Sequence, residues 1–172
     1  MLGRALLLLA MQSACAGSIA NSGRDGDASA SINRLVDSWH EAAANADAGT
    51  YFDLLAADAV FLGTDASERW TKTEFEKSYR RHFEAGSAWT FRATERHIRI
   101  SADGNTAWFD EKLHTEKMGE GRGSGVLLRT ADGWKIAHYN LTIPIPNDLL
   151  PAFVEQIQSY DSQNHVPNPV EP

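Results

Sequence analysis

The stretch from Gly119 to Pro146 constrains this chain more than any other. Residues 119–130 alternate glycine with other residues and end in an apolar run. Ala131, Asp132 and Gly133 carry turn chemistry, and residues 134–143 alternate again before Pro144 and Pro146. That order predicts a strand, a tight turn and a second strand. Proline cannot donate to a strand ladder, so the second strand ends there. Two strands do not bury their own apolar face. The remainder of the chain must extend the sheet and cover one side of it.

The chain upstream supplies both parts. From Trp89 the apolar period is 2, and strands are expected over about 89–100 and 106–117, with Asp103, Gly104 and Asn105 between them. Before Trp89 the period is helical. Ile32, Leu35, Val36, Trp39 and Ala43 form one stripe over residues 31–46. A short second helix is expected over 51–56, a short strand over 59–63 and a loop over 64–70. A third helix should run to about Ala85, opened by a capping box of Thr71 with Glu74 or of Thr73 with Glu76. Residues 147–160 carry a last stripe of Leu149, Leu150, Phe153, Val154, Ile157 and Tyr160. The class is therefore α+β: three N-terminal helices on a curved antiparallel sheet of successive hairpins, plus a C-terminal helix.

The ends read differently. Residues 1–16 hold Arg4, an apolar core from Ala5 to Met11 and small residues around Cys15. This is the pattern of a signal peptide, too short to span a bilayer as a helix. The placement of Cys15 resembles a bacterial lipobox, in which that cysteine is lipidated. The expected location is outside the cytoplasm, either periplasmic or anchored to the outer membrane through Cys15. Residues 17–30 are small and polar and are expected to be a flexible tether, and residues 161–172 a disordered tail.

Charge and spacing exclude several roles. A net charge of −7 argues against a nucleic-acid partner. A single cysteine rules out an internal disulfide, and no zinc-type histidine spacing occurs, so no metal and no cofactor are expected. The alternating glycines 119, 121, 123 and 125 lie in a strand, so they are no phosphate loop. They allow curvature or a close approach.

The element order and two local segments resemble the nuclear transport factor 2-like superfamily, and within it the SnoaL-like group. The segments are residues 56–63, after the second helix, and residues 132–142, the closing strand. The resemblance covers about residues 31–147. It implies a cone-shaped fold with a cavity between sheet and helices, and a homodimer. The superfamily includes isomerases, polyketide cyclases, epoxide hydrolases and plain binding domains, so the fold leaves the activity open.

Strand alternation gives candidate cavity residues. Taking Trp134 and Ile136 as core sends His138 and Asn140 to the cavity and makes Tyr139, Leu141 and Ile143 an outer, dimer-forming face. A bulge after Ile136 would reverse this. Arg122 and Ser124 join Trp108 and Asp110 if the preceding turn is odd in length, or Phe109 and Glu111 if it is even. Trp39, Phe61, Trp70, Tyr79 and Phe83 complete the expected wall. His40 is read as part of a solvated helix face. The first expectation is an exported domain that binds a small, largely apolar molecule. The second is an isomerase, cyclase or hydratase with Asp110 or Glu111 as base, His138 or Tyr79 as acid, and Arg122 holding an oxyanion. The third is a dimeric interaction module.

Overall fold

The structure, a computed structural model, describes residues 14–86 and 88–164, with side chains from residue 26 onward. Residues 1–13, with most of the expected signal segment, and 165–172 lie outside the described range, as do the side chains of residues 14–25, Cys15 among them. The described residues fall into two units, divided between Thr142 and Ile143.

In the first unit, helix α1 (Ala14–Ala44) is followed by α2 (Ala48–Asp53), β1 (Leu55–Leu62), β2 (Arg69–Thr71) and α3 (Lys72–Glu84). Four long strands follow: β3 (Arg92–Ile100), β4 (Thr106–Thr115), β5 (Gly119–Thr130) and β6 (Gly133–Thr142). Helix α1 begins earlier than its apolar stripe, over the residues expected to be a tether. No proline interrupts residues 14–44, and extending a helix from a packed segment costs far less than nucleating one.

The fold is α+β, with one open six-stranded sheet in the order β2-β1-β6-β5-β4-β3. The long strands pair as successive antiparallel neighbours, as the alternation predicts. β1 pairs with β6 in parallel, so the sheet is mixed rather than purely antiparallel. Residues 69–70, expected to be loop, pair with β1 together with Thr71 as the short edge strand β2. Thr71 then caps α3 in a full capping box with Glu74.

The core lies between the helices and one face of the sheet. Ile32, Val36, Trp39 and Ala43 of α1 meet Phe109, Leu113, Leu127, Ile136 and Tyr139 of the strands. Two bulges decide which residues face it. The β5–β6 register shifts at Ala137, so Trp134 and Ile136 point inward before it, and Tyr139 and Leu141 after it. The β3–β4 register shifts at Thr94. Such an extra residue moves every later side chain to the other face.

The second unit holds a single 3-10 turn (Asn147–Leu149) and helix α4 (Leu150–Asn164). The apolar stripe of α4, from Leu150 to Tyr160, is exposed.

Candidate functional site

The site grows from one cross-strand pair. Arg96 on β3 stands directly opposite Glu111 on β4, and both face the core. Arg96 Nε donates to Glu111 Oε2 at 2.9 Å, and Nη2 sits 2.8 Å from the same oxygen as an ion-pair contact without hydrogen-bond alignment. The other guanidinium nitrogen, Nη1, donates to the Asn33 carbonyl and side-chain oxygens at 3.2 Å and to Asp37 at 2.8 Å. Asn33, Asp37 and His40 recur at i, i+4 and i+7, so one side of α1 lies over this pair.

On its other flank Glu111 faces Gly123. A Cβ on Gly123 would fall 2.2 Å from the Tyr139 hydroxyl and 2.7 Å from Glu111 Oε1. The missing side chain is what lets Tyr139 reach across from β6 and donate to Glu111 Oε1 at 2.9 Å. His40 Nε2 lies 2.9 Å from the same oxygen. Glu111 is only 1 % exposed. Burial would push its carboxyl up. The hydrogen bond and charge of His40, together with Arg96, outweigh that and hold it below the ordinary carboxylate range. An ionised carboxylate only accepts, so Nε2 of His40 is the donor in this bond. Burial and the neighbouring Glu111 charge push the Tyr139 hydroxyl well above its usual value, so it stays a donor.

His40 and Tyr139 form part of the wall of a cavity of about 400 Å³. Trp39, Phe61, Phe75, Trp89, Phe91 and Leu141 supply its apolar lining. Gly63, Thr64, Glu68, Tyr79, Lys117 and Met118 complete it. Phe61 and Phe75 stack at 4.5 Å, and Phe61 stacks on Tyr139 at 5.7 Å. Among the described residues no three metal-ligating side chains cluster.

Of the residues expected in the wall, Trp39, Phe61 and Tyr79 are placed there. Phe83 is buried against Tyr51 and Phe52, and Trp70 packs edge-on to Tyr79 at 5.9 Å without lining the cavity. The catalytic candidates are corrected. Asp110, Arg122 and His138 lie on the sheet face away from the cavity, with Trp108, Ser124 and Asn140. The β4–β5 turn is odd in length, three residues from Glu116 to Met118, so Arg122 does share a face with Asp110. Phe109, Glu111, Leu113 and Leu127 are buried, which makes that face the outer one, and the Ala137 bulge puts His138 and Asn140 on it as well. For the same reason Tyr139 and Leu141 are buried core residues and not a dimer face, while Ile143 lies past the strand end. His40 and Arg96 were missed. His40 falls four residues after Val36 and eight after Ile32, and so extends the buried stripe rather than the solvated face. Glu111 alternates with Phe109 and Leu113, which is also a readable signal.

The sequence profile of the SnoaL-like domain matches residues 32–146. The chain belongs to the SnoaL-like domain family. That match spans the whole site of this SnoaL-like chain. A nuclear transport factor 2-like protein of unknown function from Pseudomonas putida KT2440 shares the fold, with a TM-score of 0.57 and 14% identity, over 69% of this chain and 87% of that one. So does a protein provisionally named a dehydratase from Streptomyces avermitilis, at TM-score 0.56 and 19% identity over 67% and 94%. A third, provisionally named a ketosteroid isomerase, is from Parabacteroides distasonis ATCC 8503, at TM-score 0.54 and 16% identity over 67% and 86%. At these identities the SnoaL-like chain shares their architecture and no more is shown. No curated protein sequence matches it.

Proposed function

We propose that the domain binds a small, largely apolar ring compound in the cavity and that His40 moves a proton on it, in a reaction of isomerase or dehydratase type. The observation that carries this is the placement of His40. Its Nε2 is tied to a buried, ionised Glu111, and its ring forms part of an aromatic cavity wall. Fixing one imidazole nitrogen on a carboxylate leaves Nδ1 as the atom that can exchange a proton with a ligand. In an isomerisation, Nδ1 takes a proton from the carbon beside a carbonyl and returns it to the far end of the conjugated system. In a dehydration, it passes that proton to a hydroxyl that leaves as water. Glu111 accepts three donors and is itself occupied, so it positions and stabilises the ring. The names of two structural neighbours, dehydratase and ketosteroid isomerase, are consistent with such chemistry.

The test uses 2-tetralone, an enolisable ring ketone, in deuterated water. Proton NMR should show wild-type protein exchanging the α-protons above the buffer rate. His40→Gln should slow that exchange by about 100-fold with an unchanged circular dichroism spectrum. Exchange at the buffer rate in wild type, with the ketone bound, would reduce the function to binding alone. Export, lipidation of Cys15 and homodimer formation are separate proposals from the sequence. The native mass of protein recovered from cell envelopes reads all three.

A further inference from the structure

The cavity wall holds a second carboxylate besides the one behind His40. Glu68, in the loop between β1 and β2, is half-buried and forms part of the cavity wall. Its Oε1 accepts from the Tyr79 hydroxyl at 3.1 Å, and its Oε2 from the Asp65 backbone N–H at 3.2 Å. The loop is folded to hold it there. Gly63 N–H donates to the Glu68 carbonyl at 3.0 Å, and Asp65 caps Ser67 at 2.8 Å. Gly63 also leaves the room, since a Cβ there would lie 2.1 Å from Glu68 Oε2. A carboxylate has roughly four acceptor positions, and two are used. Aromatic rings of Phe61, Phe75 and Trp89 supply the apolar wall that Glu68 shares with His40.

Resting on the reading of this cavity as a ligand site, we infer that Glu68 is a specificity residue that accepts a hydrogen bond from a hydroxyl on the ligand. The ligand is then a ring compound that carries this hydroxyl besides the oxygen function of the reacting part. A neutral hydroxyl fits better than a cation, because Lys117 is part of the same wall. Burial and the Glu68 charge push the Tyr79 hydroxyl up, so it stays a donor and keeps the carboxylate in place.

Calorimetric titration of the full chain with two probe pairs tests this. The pairs are 2-naphthol with 2,6-dihydroxynaphthalene, and 4-phenylphenol with 4,4′-biphenol, which differ in the span between oxygens. Wild type should prefer the diol of at least one pair by about tenfold, the scale of a hydrogen bond to a charged group. Glu68→Gln should bring that preference to about threefold or less. Gly63→Ala, which displaces the carboxylate without removing it, should act in the same direction. Equal binding of both members in both pairs, or a preference that survives in both variants, overturns the inference while the cavity reading stands. Failure of all four probes to bind wild type overturns the cavity reading and the inference with it.

Discussion

Gly123 carries information through the atoms it lacks. Its neighbours across the sheet are Glu111 and Leu141, and the space a methyl group would take is filled by the Tyr139 hydroxyl and a carboxylate oxygen. Gly123→Ala should therefore destabilise the fold by about 1–3 kcal/mol, as overpacking does, measured by urea unfolding. It should also break the Tyr139–Glu111 bond and lower α-proton exchange. Glu111→Leu removes the buried carboxylate and leaves Arg96, whose side chain is 5 % exposed, with Asp37 as its remaining charged partner. Breaking a buried pair typically costs about 3–5 kcal/mol, and the same unfolding experiment reads it. A loss below about 1 kcal/mol would mean that the bond to Asp37 alone satisfies Arg96.

At the scale of elements, regular periodicity was legible and its interruptions were not. The stripe of α1, the capping box of α3 and the β3–β6 meander follow from spacing and turn residues alone. Replacing the cap Thr71 by Ala should cost about 1 kcal/mol, read as a lower urea midpoint. The site fails to follow because it depends on single-residue interruptions. An extra residue at Ala137 turns Tyr139 inward and His138 outward, and an extra residue at Thr94 turns Arg96 inward. Neither alanine nor threonine has a composition that marks a bulge, so the sequence left the choice of face open. His40 was legible in principle, since it continues the stripe of Ile32 and Val36. The prior that histidine on a helix is solvated overrode the spacing. Glu111 needed the β4 face to be known, and its partners come from three other elements.

For the whole molecule, Glu111 links stability to pH. Its carboxyl titrates below the ordinary range when folded, so in acid the unfolded chain takes up a proton first. Stability is then full above the ordinary carboxylate range and falls as pH drops through the folded value. The urea midpoint should begin to fall as pH drops below the ordinary carboxylate range, about pH 4–5. Exposed carboxylates held low by local bonds, such as Glu74 and Asp103, act in the same direction with less weight. A midpoint that rises on acidification would contradict an ionised Glu111.

The site is divided between two elements with different means of support. Glu111 and Tyr139 sit on interior strands tied by ladders on both sides, and Arg96 sits on the edge strand β3, laddered to β4, whereas His40 arrives on α1, which is joined to the sheet through side chains. Local opening of α1 would take the imidazole away and leave the carboxylate, guanidinium and phenol where they are. Function would therefore switch off well before the sheet unfolds. Any compound held against His40 acts as a clasp on that helix. Amide hydrogen exchange over residues 32–44 should slow when ligand binds, by more than it does in β4 and β5.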